Sequence, residues 1–243
     1  MTAPATSRAR VPSPAGLLAA LETVRDPELD EPITALGFVA SATVSAAGDA
    51  QVRLRLPTYF CAPNFAYLMV ADAYDAVAAL PGVRRAEVVL DGHFASDAIN
   101  GGVAAQAGFA QSFDGEAVGE LHQLRADFLR KAVMAGTDQV CRPLLAAGAD
   151  PARLRTLTLG ELPPSQPLDR LRQRRAELGL PAGNDAALLI DPVTGDPVPA
   201  DAVPLHLRRA RITRASFDAN GSICRGHLRH RYDSPGLGEE EQQ

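Results

Sequence analysis

Between residues 38 and 56 the chain alternates apolar and polar side chains on both sides of Gly48-Asp49, and no other pattern in the sequence limits the fold as strongly. Period-two alternation buries one face of a strand, and a Gly-Asp step between two such runs folds one strand back along the other. Phe38 to Val44 and Gln51 to Leu56 are therefore expected to form a hairpin. A short helix precedes it: Ala15 to Val24 carries Leu17, Leu18 and Leu21 on one side and ends at Asp26-Pro27. A longer helix follows over Asn64 to Leu80, where Phe65, Leu68, Met69, Tyr74 and Val77 recur at helical spacing until Pro81-Gly82 stops it. Arg84 to Leu90 alternates again as a third strand. The order helix, strand, strand, helix, strand specifies a small α+β domain with a mixed sheet and helices on one face.

The pattern changes near residue 100. Asp91 to Gly115 is rich in Gly, Ala, Ser and Asn and reads as a loop. Helical material follows at Val118 to Met134, Gln139 to Ala147 and Leu168 to Leu178. Ala186 to Ile190 and Arg208 to Phe217 read as short strands, the second leading through Asn220-Gly221 to Ile223-Cys224. The expected organisation is a mobile leader over 1–14, the α+β domain over 15–104, a mostly helical partner-binding region over 105–233 ending in short strands, and a disordered acidic tail over 234–243.

Composition narrows the function classes. With 46% hydrophobic residues the chain has material for a core, and no window approaches the roughly 18 uncharged apolar residues of a membrane helix. No secretory signal is visible, and three scattered cysteines make no disulfide framework, so a reducing cytoplasmic setting is expected. The net charge of -5 and 5% aromatic content disfavour nucleic-acid binding. Within that acidic chain, residues 205–232 hold seven arginines against the single acid Asp218. Phosphate-cradling Gly-rich loops, G-x-S-x-G elbows and H-E-x-x-H motifs are all missing.

Cys61 stands in the turn between a strand and the long helix, with Asn64 a good N-cap for that helix. Backbone amides and the positive helix end favour an anion there, hence a thiolate that can hold a soft metal or act as a nucleophile. The competing reading is a packed structural cysteine. Asp26 and Glu28 form a carboxylate pair able to orient a metal or meet a client, although Asp-Pro-Glu is also plain turn chemistry. Cys224, His227 and His230 have C-x-x-H-x-x-H spacing suited to zinc or iron; alone they are incomplete, and Cys141, His122, His93 or His206 would have to complete a site. The rival reading is an Arg/His-rich surface strand. His93 and Asp97, four apart, suit a metal pair only in a helix, and the glycines around them favour a mobile loop able to cover Cys61.

Val24-Arg25-Asp26-Pro27-Glu28, Leu36-Gly37-Phe38-Val39, the strand–turn–Cys61–Pro63–helix unit, Leu80-Pro81-Gly82-Val83 and Ala86-Glu87-Val88 run in one order. That order resembles the SufT/PaaD-like metal–sulfur (iron–sulfur) cluster assembly family over roughly residues 15–100. Pro57 stands at the family's usual Thr, Cys-Pro is here Cys61-Ala62-Pro63, and there is no tryptophan. The variant with a long C-terminal extension resembles proteins associated with bacterial multicomponent di-iron monooxygenases.

The resemblance implies an accessory factor without turnover of its own, acting in the assembly or maturation of a client metalloenzyme. Cys61 would transiently hold iron or an iron–sulfur cluster, with Cys224 and His227 as secondary metal candidates and zinc an option at Cys224, His227 and His230. Client or assembly-machinery contacts would come from Asp26, Glu28, Arg208, Arg209, Arg211, Arg225 and Arg229. The alternative is a metal-free adaptor or folding helper working through the Arg-rich C-terminal surface. An open-edged small sheet also leaves room for a homodimer.

Overall fold

The computed structural model describes residues 11–113 and 118–233. Most of the expected leader and all of the expected acidic tail lie outside the described residues. The described residues form two compact units: 11–27, 31–113, 118–121 and 221–233 make the first, and 28–30 and 122–220 the second.

The first unit is built as its hydrophobic pattern dictates. Helix α1 (Pro14–Leu21) starts at Ser13, whose hydroxyl accepts the Gly16 N–H at 3.2 Å, and buries Leu17 and Leu21. Strands β1 (Val39–Val44) and β2 (Asp49–Arg55) pair antiparallel, and β3 (Arg85–Asp91) lies parallel to β2, giving the order β1-β2-β3. At the hairpin, Gly48 has φ +87°, and a Cβ there would stand 2.5 Å from the Gly82 carbonyl, so the close approach requires glycine. Ala50, Val52 and Leu54 of β2 and Val88 and Leu90 of β3 point to one face. Helix α2 (Pro63–Ala78) covers that face with Ala66, Met69, Val70, Ala73 and Val77. Each large side chain so buried contributes about 1.5–3 kcal/mol relative to exposure.

Residues 91–115 depart from the loop expectation. Helices α3 (Ser96–Ala104) and α4 (Phe109–Ser112) occupy most of the segment. A Cβ on Gly102 would overlap the Ser112 side chain, so the glycines that read as flexibility instead permit contact between two helices.

Helix α5 (Val118–Ala146), in the second unit from residue 122 on, runs unbroken through Pro143, where two helices are expected from the sequence. After it come α6 (Pro151–Leu154) and α7 (Gln166–Glu177), capped by Asp150 and Ser165. Val133, Cys141, Leu154, Leu159, Leu171, Leu188 and Val203 form the core of the second unit. Arg175 is wholly buried there and donates to the carbonyls of Ala187 (2.9 Å) and Leu188 (2.6 Å). The expected strand over 186–190 is reduced to isolated bridges, Thr158 with Ala187 and Ile190 with Pro197.

The largest difference concerns the last strand. Residues 208–217 are helical, inside α8 (Val203–Asp233), whose residues up to 220 belong to the second unit and whose remainder belongs to the first. Arg, Leu and Ala are strong helix formers and outweigh the β-branched Ile212-Thr213. Gly221 sits buried in mid-helix, where a Cβ would lie 2.9 Å from Glu31 Oε1, so Asn220-Gly221 marks a tight contact and not a turn. The α+β class with a helical C-terminal region stands.

Candidate functional site

Cys61 lies just before α2 and is half-buried. Asn64 is not the cap: Ala62 occupies that place, Pro63 opens the helix, and the Ala62 carbonyl accepts from Phe65 and Ala66. Proline suits a first turn because its missing N–H would have no intrahelical partner. The Cys61 thiol lies 3.3 Å from the Thr58 hydroxyl.

The loop is fixed from two directions within the first unit. His93, 3% exposed, reaches the Cys61 carbonyl through Nε2 at 2.7 Å, and its Nδ1 accepts the Ala95 N–H at 3.2 Å. An acceptor Nδ1 leaves the proton on Nε2, so the ring is neutral and donates to Cys61. Burial pushes the His93 pKa down, the Arg231 charge acts the same way, and the bond to Cys61 opposes both. The Phe94 N–H donates to the Tyr59 carbonyl at 3.2 Å, joining the same two loops.

Arg231, in the last turn of α8, supplies the second tie. Its guanidinium donates to the carbonyls of Gly92 (2.7 Å) and Leu56 (3.3 Å). Gly92 has φ +58°, and a Cβ there would meet Arg231 Nη2 at 2.9 Å, so this loop also requires glycine. The Arg55 guanidinium stacks on the Tyr232 ring at 4.8 Å, and the Tyr232 hydroxyl is buried without a hydrogen-bond partner among the described residues. Burial raises the Tyr232 pKa, with Arg231 and Arg55 pulling it back and Asp91 and Cys61 adding to the rise.

Beside the thiol stands an exposed aromatic rim. Tyr59, Phe60 and Phe94 are 44%, 78% and 50% exposed, with ring centroids 5.0 Å apart for Tyr59–Phe60 and 6.0 Å for Phe60–Phe94. Apolar rings left in water beside a half-buried cysteine suit contact with another macromolecule. No sequence pattern links the rim, His93 and Arg231, because their contacts join positions 32 to 175 residues apart.

The other candidates are placed as follows. Asp26 is buried in a turn where its N–H donates to the Glu31 carbonyl. Glu28 accepts from Asn220 at 3.4 Å, and its neighbour Asp30 pairs with Arg174 at 2.7 Å. Cys224 is half-buried on α8, with His227 and His230 exposed on the same helix. Among the described residues no group of three His, Cys, Asp or Glu side chains is positioned to hold a metal ion. The residues considered as completing ligands are otherwise disposed: Cys141 is buried in the second unit, its pKa pushed up to about 12, first by burial. His206 is in the same unit and its pKa is lowered by burial. His93 is committed to the Cys61 loop, and Asp97 lies exposed in the first turn of α3. Arg208, Arg209, Arg211 and Arg229 are exposed on α8, whereas Arg225 is bound to Glu31 at 2.7 Å.

The thiol can therefore offer one soft ligand or one nucleophile from a rigid loop. No helix among the described residues is long and apolar enough to cross a membrane. The profile of the family described as iron–sulfur cluster assembly protein matches residues 15–89, which span α1, the sheet strands β1 and β2, the Cys61 turn, α2 and most of β3. An uncharacterized protein of Methanocaldococcus jannaschii is 32% identical over 84 residues, covering 35% of this chain and 86% of that protein. No solved structure matches the chain. Through this N-terminal segment, with Cys61 at its strand-to-helix turn, the chain belongs to the iron–sulfur cluster assembly protein family.

Proposed function

We propose that the protein is an accessory factor that handles iron or an iron–sulfur unit in transit to a client metalloenzyme, with Cys61 as the residue that touches the cargo. The observation that carries this reading is a half-buried cysteine on a loop tied by His93 and Arg231 and flanked by an exposed aromatic rim. A rigid loop presents the sulfur in one place, and the rim supplies apolar surface for a client to cover during transfer. One thiolate fills one coordination position, whereas iron–sulfur clusters are ordinarily held by four ligands. The remaining ligands would come from the donor, the client or the cargo's own exchangeable groups, which suits temporary custody. The exposed Arg208, Arg209 and Arg211 of α8 favour a client with an acidic face. The resemblance of the C-terminal extension points to a component of a multicomponent di-iron monooxygenase as that client.

Anaerobic reconstitution with iron and sulfide, followed by metal analysis, tests the assignment. Wild type and Cys224→Ser are expected to retain iron, and Cys61→Ser to lose it. Co-expression with the client checks the consequence: Cys61→Ser lowers its metal content. Equal iron in wild type and Cys61→Ser removes Cys61 from the mechanism. Absence of iron throughout, with client maturation unchanged by Cys61→Ser, supports the adaptor reading through the Arg-rich face.

A further inference from the structure

Among the described residues the three-stranded sheet leaves β3 with β2 on one side only. Asn100 closes one point of its other edge: Oδ1 accepts the Leu90 N–H at 2.8 Å, and Nδ2 donates to the Leu90 carbonyl at 3.1 Å. These two bonds show which way the strand's backbone groups point. Because successive residues of a strand direct their N–H and C=O groups to opposite sides, Val88 and Ala86 share the outward direction of Leu90. Along this edge runs a groove of about 480 Å³, bounded by Tyr74, Ala78, Val103 and Ala104. An uncovered strand edge over an open groove is a template for strand addition.

The side chains on the strand's exposed face identify the partner. Arg85 and Glu87 are both exposed and flank Ala86. We infer that β3 pairs antiparallel with β3 of a second copy of this chain, on a two-fold axis through Ala86. In that register the two Ala86 residues exchange both backbone hydrogen bonds, and each Arg85 stands directly opposite the other copy's Glu87. Opposite charges facing each other across strands stabilise the pair, and like charges oppose it. The neighbouring registers are disfavoured on the same grounds. Centring on Glu87 sets two carboxylates face to face, and centring on Val88 sets Glu87 opposite Val89 and loses its charge pair. The new ladder is confined to the Ala86 pair, since Arg84 donates its N–H to the Gly48 carbonyl and Asn100 holds Leu90. None of this involves Cys61, so the dimer and the cargo assignment stand or fall separately.

Sedimentation velocity on the full chain over a range of concentrations tests the proposal. Wild type is expected to associate reversibly to a dimer. Arg85→Glu or Glu87→Arg alone should raise the dissociation constant about tenfold or more, since each replaces two attractive pairs by two repulsive ones. An equimolar mixture of the two variants should recover the dimer. One copy then presents two carboxylates and the other two guanidiniums, so both facing pairs are again of opposite charge. Ala86→Pro, which removes an outward N–H without touching the β2 ladder, should abolish association while circular dichroism reports an unchanged fold. A wild type that sediments as a monomer throughout overturns the inference, whether or not another protein occupies the edge. So does a dimer indifferent to both single swaps, or a mixture that fails to recover it.

Discussion

Replacing His93 by alanine isolates what the Cys61 loop gains from being held. The ring is 3% exposed and makes two hydrogen bonds, Nε2 to the Cys61 carbonyl at 2.7 Å and Nδ1 from the Ala95 N–H at 3.2 Å. Each lost bond costs about 1 kcal/mol net, more where the orphaned partner cannot reach water. The ring also packs on Phe94, with centroids 4.8 Å apart. Together these predict a loss of about 2–4 kcal/mol, to be read from urea unfolding at neutral pH. His93→Gln, whose amide can donate to the same carbonyl, should recover part of that loss. The loop should feel the change most directly: in a Cys224→Ser background, alkylation of Cys61 should be several-fold faster in His93→Ala than in His93→Gln. A stability change below about 0.5 kcal/mol, the range of ordinary surface substitutions, would refute the reasoning. Equal alkylation rates in the two variants would show that His93 does not position the loop.

Other consequences concern the buried ionisable groups. His93 and His206 both have pKa values pushed below the ordinary value of 6.5, mainly by burial. The unfolded chain therefore takes up protons that the native state resists. Stability should fall as pH drops below about 6.5 and level off, for these two groups, beneath their native values. Denaturant titrations between about pH 7 and 5 check this, and His93→Gln should flatten part of the slope. Arg175→Ala leaves the Ala187 and Leu188 carbonyls without their donor and should cost about 3–5 kcal/mol. Arg175→Lys should rescue little, because a point charge cannot reproduce the fork, and thermal unfolding of both variants measures it. Cys141, with its pKa pushed up to about 12, should stay unmodified by thiol reagents near about pH 8 until denaturant is added, while Cys61 and Cys224 react in the native protein. Mass spectrometry of the labelled cysteines distinguishes them.

The sequence was most informative where local chemistry and tertiary packing agree. The hairpin around Gly48, the α2 stripe and the third strand were readable because each buries one periodic face on the same core. Glycine misled where it serves close contact: Gly102 against Ser112 and Gly221 near Glu31 lie within helices, although Gly-rich segments and Asn-Gly steps ordinarily mark loops and turns. Cys61 was legible from its place between strand and helix. Its cap was misjudged because Pro63 takes the first helical position and moves the start back from Asn64 to Ala62. His93 reads from the sequence as a metal ligand, either paired with Asp97 or completing a site at Cys224, and a hydrogen bond to a carbonyl 32 residues away leaves no periodic trace in sequence. Arg175 is illegible in the sequence for a similar reason: one apolar-facing arginine on a helix with many looks like any other without its carbonyl partners.

Arg231 and Tyr232 lie immediately before the end of α8 at Asp233, yet Arg231 clasps the two loops that carry Cys61 and His93. Proteolytic trimming that reaches back past Tyr232 would unfasten the thiol loop while sparing every strand of the sheet. A substitution that breaks the last turn of α8 would loosen the same fastening, so variants altered only in that turn are expected to differ in how Cys61 behaves.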